Sequence, residues 1–273
     1  MENGSAQRCE RGGVVFYRLP SFAAFPFVRH GFSTRLGGVS APPFDRMNLS
    51  FTRGDDPQAV TENFRRFCAA VEVEADGLVI PYQAHTTNLR YVGAADRGDG
   101  FSRPKSLADT DGLFTDQPGV VLCTQYADCV PLLFLDPHKR IIALSHSGWR
   151  GTAADMAGET VRRLEKDCGC DPRHLLAGIG PSIGPCCFEV DEPVYRAFAG
   201  QGRWSGACFR KDGGGKYHLD LWRINYELLL QAGVTPEHIE VSGLCTRCRP
   251  EIFWSHRFTG PTRGSLATVL SLV

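Results

Sequence analysis

Residues 120–144 read VVLCTQYADCVPLLFLDPHKRIIAL, and this stretch decides the class of fold. It holds three apolar runs, at residues 120–125, 130–135 and 141–144, with short polar breaks between them. Short continuous apolar runs bounded by turn signals are typical of strands buried on both faces. The Asp-Pro-His-Lys break at 136–139 is a turn signal. The stretch therefore predicts three neighbouring strands in the interior of a layered protein.

Helices and further strands are expected on both sides of this stretch. Upstream, we predict strands at 14–18 and 27–32, and a helix capped by Asp56 with Pro57 in its first turn. Paired strands at 78–83 and 89–92 follow, around a turn at 86–87. Downstream, we predict helices at 152–166, 192–198 and 221–232, the last ended by Gly233, and strands at 175–179, 239–241, 252–255 and 266–272.

Strands and helices are mixed without strict alternation, which favours an α+β fold. We expect a layered α/β/β/α-type sandwich with mixed sheets, in which residues 13–273 form a single catalytic domain and residues 1–12 are disordered.

Composition narrows the class of protein. The chain has 273 residues, 42% of them hydrophobic, a formal net charge of zero and no basic block. These values fit a globular protein and give no indication of a nucleic-acid or membrane partner. The polar N-terminus lacks the apolar core of a signal peptide, and eleven cysteines is an odd number, so we expect reduced thiols in a cytoplasmic protein.

Three potential metal ligands stand at the ends of apolar runs. Cys129 lies between two predicted strands, His146 ends a third, and His85 follows the strand predicted at 78–83. One thiolate and two imidazoles suit zinc with a fourth position left open, as in catalytic sites. Each residue taken alone is also compatible with ordinary packing or hydrogen bonding.

Several neighbouring residues are candidates for supporting roles. Asp128 could orient an imidazole or simply form a turn. Arg150, at the start of a helix, and Arg35, in the glycine-containing turn at 34–40, could bind an anion or form surface contacts. Cys245 and Cys248 form a lone Cys-x-x-Cys, which we interpret as a turn; a second zinc site would need another ligand pair, and only Cys186-Cys187 offers one.

The chain resembles the YfiH-like family, which has been labelled both multicopper polyphenol oxidoreductase (laccase) and purine nucleoside phosphorylase. The resemblance runs from about residue 32 to the C-terminus. Its elements are 34–40 (TRLGGVS), 83–85 (QAH), 111–115 (DGLFT), 127–131 (ADCVP), 146–151 (HSGWRG), 180–190 (GPSIGPCCFEV), 245–246 (CT) and 255–257 (SHR). It implies zinc ligands at His85, Cys129 and His146.

The chain departs from the family pattern in a few places. Ala84 stands where valine is usual, and Thr86 where glycine is common. Near the C-terminus, Thr262-Arg263-Gly264 replaces the order Thr-Gly-Arg, which leaves the role of Arg263 open. No chemistry is assigned to His256.

The resemblance implies phosphorolysis of purine nucleosides (adenosine, inosine, guanosine and methylthioadenosine) together with adenosine deamination. The expected partners are nucleosides and phosphate, with Arg35 and Arg150 binding the anion and Asp128 relaying protons. One alternative is an amide hydrolase of the peptidoglycan-editing type, with Cys129 as nucleophile and His146 as base. A copper polyphenol oxidase fits less well, because the chain has eight histidines and no His-x-His pair. A non-enzymatic binding protein is the remaining alternative; the oligomeric state is left open.

Overall fold

The computed structural model describes residues 4–199, 201, 204, 206–212 and 214–273. Two six-stranded mixed sheets and a small three-stranded sheet form a single domain. The strands are β1 Gln7–Arg11, β2 Val14–Arg18, β3 Val28–Ser33, β4 Leu78–Val79, β5 Leu89–Tyr91, β6 Gly112–Thr115, β7 Val121–Tyr126, β8 Val130–Asp136, β9 Ile141–Ser147, β10 Leu176–Ile179, β11 Glu189–Val190, β12 Phe209–Lys211, β13 Tyr217–Leu219, β14 Ile239–Val241 and β15 Leu266–Leu272. The helices are α1 Pro20–Ala23, α2 Pro57–Val71, α3 Trp149–Ala153, α4 Met156–Cys168, α5 Glu192–Ala199, α6 Leu221–Gln231 and α7 His256–Thr259.

The two large sheets lie face to face between layers of helices. One has the order β1-β2-β3-β15-β7-β4, and the other β14-β10-β8-β9-β6-β5. Successive residues of β8 alternate between cores: Leu133 and Leu135 pack between the sheets, whereas Leu132 and Phe134 pack against α4 and α6. The first sheet packs its other face on α2. Because side chains alternate across a strand, this burial explains the continuous apolar runs and confirms the layered α/β/β/α-type sandwich.

Helix α2 forms as its sequence predicts. The Asp56 carboxylate accepts a hydrogen bond from the backbone N–H of Gln58, and Pro57 occupies the first turn. The predicted apolar face is buried, and it is made of Val60, Phe64, Phe67, Cys68 and Val71.

The predicted pairing of 78–83 with 89–92 is wrong. The strand β4 pairs in parallel with β7 in one large sheet, whereas β5 pairs in parallel with β6 in the other. The loop between them does not close a hairpin, because the backbone N–H groups of Ala84 and Thr86 donate to the carboxylate of Asp111. The loop therefore crosses from one sheet to the other.

The helix predicted at 152–166 is two helices, α3 and α4. Asp155 separates them, with a left-handed backbone (φ +68°) and a carboxylate that accepts from the N–H of Gly158. This side-chain cap starts a new helix. Residues 252–255, predicted as a strand, do not form one: residues 252–253 end a turn in which the carbonyl of Arg249 accepts from the N–H groups of Ile252 and Phe253.

Part of the segment expected to be disordered is a strand. Strand β1 pairs with β2 along its whole length, across a turn in which Gly12 and Gly13 both have positive φ. A Gly-Gly pair favours such a two-residue hairpin. The side chains of β1 are mostly exposed, so hydrophobic patterning gave no signal for it. Residues 1–3 of that prediction lie outside the described part of the chain.

Among the described residues, no helix is both long and apolar enough to cross a membrane.

Candidate metal and anion site

The structure brings the three predicted metal ligands together. Cys129 lies in the short connection between β7 and β8, His146 is in β9, and His85 is in the loop between β4 and β5. Their donor atoms all lie within 4.8 Å of one another, and Cys129 Sγ is 4.0 Å from His85 Nε2. The two imidazole rings meet edge to face, with centroids 5.0 Å apart. The antiparallel register of β8 with β9 sets His146 opposite Pro131, two residues from Cys129.

Asp111 holds both histidines in place. Its carboxylate accepts from His146 Nδ1 at 2.8 Å, and from the backbone N–H groups on either side of His85 at 2.9 Å each. The side chain is fully buried; burial opposes its ionisation, but the hydrogen bonds from His146 and from the Thr86 and Ala84 amides prevail and lower its pKa. Because Nδ1 of His146 is hydrogen-bonded to Asp111, Nε2 is the ring nitrogen that is available to bind a metal ion.

The sequence suggested that Asp128 could orient an imidazole, but in the structure its carboxylate contacts neither histidine of the site. Its two carboxylate oxygens accept from Thr246 Oγ1 at 2.6 Å and from the backbone N–H of Arg257 at 2.7 Å. The residue has φ +86°, a conformation that a non-glycine residue rarely adopts. These two hydrogen bonds hold that backbone, and through it they fix the position of the adjacent Cys129.

Gly148 leaves space for the three ligands. A Cβ atom at this position would lie 2.8 Å from Cδ2 of His85 and 3.1 Å from Sγ of Cys129. Both distances are shorter than ordinary van der Waals contacts. Any side chain at residue 148 would therefore displace the imidazole or the sulfur.

The surroundings of Cys129 favour its thiolate. Burial alone would raise the pKa of the thiol, but the charge of His146 and hydrogen bonds with both histidines outweigh burial and lower the pKa to about 6. Burial likewise opposes the protonation of His146, yet Cys129 and Asp111 raise its pKa to about 9. The thiolate is the form of cysteine that binds metals and acts as a nucleophile.

The three ligands stand on one wall of a cleft with a volume of about 210 Å³. Three cationic side chains, Arg53, Lys105 and Arg263, line the same cleft. Arg53 and Arg263 both donate to Oγ of Ser265, at 3.4 and 3.3 Å, so the two guanidinium groups are neighbours. Burial, with Arg53 close by, lowers the pKa of Arg263 to about 10. Two like charges held together beside a cleft favour an anion between them.

The two arginines predicted to bind the anion do not line this cleft. Arg35 stacks on Trp254 at 3.8 Å and donates to the carbonyls of Asp45 and Pro250 at 2.8 and 2.9 Å. Its guanidinium is thus engaged within the protein. Arg150 is exposed and lies over the ring of its neighbour Trp149. The sequence interpretation missed Arg53 and Lys105, because neither residue belongs to a recognisable motif and only the folded chain brings them to the cleft.

The donor set fits a transition-metal ion. One thiolate and two imidazoles, one of them oriented by a buried carboxylate, are the ligands of three-coordinate protein sites that leave a position open. The same donors suit zinc and copper. His85, Cys129 and His146, which all line the cleft, could therefore hold either ion.

Comparison with known proteins finds a matching family model and several similar chains. A family model described as multi-copper polyphenol oxidoreductase laccase matches residues 29–273. The chain is 37% identical over 238 residues to the purine nucleoside phosphorylase YlmD of Geobacillus stearothermophilus, covering 86% of this chain and 87% of that one. It is 35% identical over 248 residues to a purine nucleoside phosphorylase of Bacteroides thetaiotaomicron, covering 90% and 92%. The crystal structure of the hypothetical protein YfiH of Bacillus licheniformis superposes with a TM-score of 0.90 at 32% identity, covering 97% and 98%.

Proposed function

The chain belongs to the multi-copper polyphenol oxidoreductase laccase family, and from the names of its relatives and the residues of its cleft we propose that it is a purine nucleoside phosphorylase. One observation carries the proposal. A single cleft is lined by a metal-ligand triad, His85, Cys129 and His146, and by three cationic side chains from separate segments. Phosphorolysis needs an anion subsite beside a site that activates the other substrate, and the cleft offers both. The names of the relatives support the same activity.

Phosphate is proposed to bind to Arg53, Lys105 and Arg263. Guanidinium groups bind phosphate oxygens through paired N–H donors, and a lysine adds a point charge. Lys105 Nζ also donates to the carbonyl of Pro81 and to Oε1 of Gln125, at 3.2 Å each, which hold its ammonium at the cleft. This subsite replaces the one that the sequence suggested at Arg35 and Arg150.

The nucleoside is proposed to bind beside Tyr82, a half-exposed residue that lines the cleft. An exposed aromatic face suits stacking with a purine. In the reaction, a phosphate oxygen forms a bond to C1′ of the ribose while the bond from C1′ to the purine nitrogen breaks. The electron pair leaves with the base, and the proton of hydrogen phosphate passes to it. The products are a free purine and ribose 1-phosphate.

We propose zinc as the metal, held by His85, Cys129 and His146. A zinc ion with one open position acts as a Lewis acid and can make water a nucleophile at neutral pH. Asp111 orients His146, and Asp128 fixes the backbone next to Cys129. The second proposed activity, deamination of adenosine, would use the same cleft. The proposed range of substrates for phosphorolysis is adenosine, inosine, guanosine and methylthioadenosine, acted on in the cytoplasm.

The phosphate subsite is tested by kinetics with inosine and phosphate. Loss of one charge-assisted hydrogen bond costs about 1.5–3 kcal/mol, so Lys105→Gln and Arg263→Gln should each raise the KM for phosphate roughly 10- to 150-fold. The KM for inosine should change much less. Arg150→Gln is the matched control, because Arg150 lies outside the cleft, and it should behave as wild type. Release of base without phosphate, or an unchanged phosphate KM in both cleft variants, would contradict the proposal.

A second candidate function has its own observation. Sγ of Cys129 lies within 4.8 Å of a ring nitrogen of His146, whose Nδ1 donates to Asp111 at 2.8 Å, and this order matches a nucleophile, its base and an orienting carboxylate. The arrangement suits an amide hydrolase acting on cell-wall precursors. Metal analysis separates the two functions. Wild-type protein that holds about one zinc per chain more than Cys129→Ala supports the phosphorylase, whereas wild-type protein that holds no more zinc than Cys129→Ala, is alkylated at Cys129 and hydrolyses amides supports the hydrolase.

A further inference from the structure

Four cysteines from two separate loops converge apart from the cleft. Cys186 and Cys187 lie in the loop after β10, and Cys245 and Cys248 follow β14. Their sulfur atoms all lie within 4.8 Å of one another. We propose that these four thiolates bind a second zinc ion, whose role is structural. The sequence alone favoured a simple turn for Cys245 and Cys248, because nothing in it places the vicinal pair beside them.

The sulfur distances fit a tetrahedral metal site. Sγ of Cys248 is 3.4 Å from the sulfur atoms of both Cys186 and Cys187. A zinc–sulfur bond of about 2.3 Å puts the sulfur atoms of a tetrahedral site roughly 3.8 Å apart. A disulfide requires about 2.05 Å, and all four cysteines are free in the structure. A small contraction or expansion of the cluster therefore suffices to receive the ion.

The surrounding groups compensate the negative charge that four thiolates would carry. Sγ of Cys245 accepts from the backbone N–H of Gly184 at 3.2 Å, and the guanidinium of Arg247 lies 3.6 Å from Sγ of Cys187. A Cβ atom on Gly184 would lie 3.2 Å from Cβ of Cys245, so the absence of a side chain there allows the close approach. Cys186 and Cys248 are exposed, which gives an ion access to the cluster.

A closed four-cysteine site would join the two loops that support Asp128. Ser182 and Cys245 form an isolated β-bridge between these loops. From one loop the N–H of Ile183 donates to the carbonyl of Asp128, and from the other Oγ1 of Thr246 donates to its carboxylate. Structural zinc sites contribute directly to folding free energy. The ion would thus stabilise the wall that carries Cys129 without contacting a substrate.

Metal analysis of the full-length protein, purified under reducing conditions and equilibrated with Zn²⁺, tests the proposal. The Cys129→Ala variant removes a ligand of the cleft site and should still contain about one zinc per chain. Its zinc-edge X-ray absorption should show four sulfur ligands at about 2.3 Å and no nitrogen. Adding Cys248→Ser should abolish that zinc, whereas adding Cys9→Ser, a substitution on strand β1 at a cysteine outside the cluster, should leave it unchanged.

Three results would overturn the proposal. They are a Cys129→Ala protein without zinc, a zinc shell that contains nitrogen or oxygen ligands, and a disulfide between Cys248 and Cys186 or Cys187 in the reduced preparation. The absorption spectrum of Cys129→Ala decides the matter even if the double variant fails to fold. None of these readouts depends on catalytic activity, so failure of the proposed phosphorylase function would leave the test intact.

Discussion

Replacing Gly148 with alanine should weaken metal binding in the cleft while leaving the fold intact. Gly148 has φ −67°, which alanine adopts without strain, so the substitution acts through its added methyl group. That group would meet Cδ2 of His85 at 2.8 Å and Sγ of Cys129 at 3.1 Å. His85 is exposed on a loop and can move aside at little cost to stability.

The size of the effect follows from these contacts. Ordinary carbon contacts begin near 3.5 Å, so the imidazole must move by roughly 0.7 Å. Metal sites tolerate deviations of about 0.2 Å in ligand distance. Changes that disturb ligand orientation typically cost 10- to 100-fold in metal affinity, or about 1.4–2.7 kcal/mol. The free energy of unfolding of the metal-free protein should change by less than about 1 kcal/mol.

Zinc affinity is measured by competition with a chromophoric chelator, alongside the rate of inosine phosphorolysis. Gly151→Ala is the matched control. Gly151 lies three residues after Gly148, in α3. A Cβ atom on Gly151 would lie 3.6 Å from its nearest neighbour, the carbonyl oxygen of Thr86, which is an ordinary contact distance. We expect the control to bind zinc like the wild type. If the two alanine variants had the same zinc affinity and the same activity, the cleft would not hold the ion between these three side chains.

Three further predictions concern the support of the site and the fold. Asp111→Asn should lower zinc affinity about 10- to 100-fold, because an amide holds the imidazole of His146 less firmly; wild-type affinity in a chelator titration would contradict this role. Burial and the charge of Arg18 lower the pKa of His30 to about 3 from an ordinary 6.5. As the pH falls below 6.5, the unfolded chain takes up a proton at His30 that the folded protein does not, so the free energy of unfolding should fall by about 1.4 kcal/mol per pH unit. His30→Gln should remove this contribution. In urea titrations, the difference in free energy of unfolding between His30→Gln and wild type should change by about 2 kcal/mol between pH 7 and pH 5. A difference independent of pH would refute the lowered pKa of His30. Asp56→Ala should cost about 1 kcal/mol through loss of the α2 cap, measured in the same titrations, and no loss would mean that the cap is not formed in solution.

The layered fold was predictable because its central strands are buried on both faces. Strands β7, β8 and β9 therefore appear as largely apolar runs, and α2 carries its own cap and apolar face. Pairing partners were less predictable. Strands β4 and β5 lie near each other in the chain, but they join different sheets through long-range parallel pairs that no local pattern encodes.

The three candidate metal ligands could be proposed from the sequence because each stands at the end of a predicted strand and carries a side chain that binds zinc. The side chains that hold these three residues in place could not be identified from the sequence. The partner of His146 is Asp111, the residue before β6, rather than Asp128, which stands next to Cys129 in the sequence. The cationic side of the cleft is built from Arg53, Lys105 and Arg263, which only tertiary structure brings together.

The most direct test of the proposed site is diffraction from a crystal soaked with inosine and phosphate, with anomalous data collected on both sides of the zinc edge. We expect an anomalous peak between Nε2 of His85, Sγ of Cys129 and the imidazole of His146. Phosphate should lie against Arg53 and Arg263 in the same cleft, next to the nucleoside. No peak at Cys129, or phosphate and nucleoside bound away from these side chains, would contradict the account.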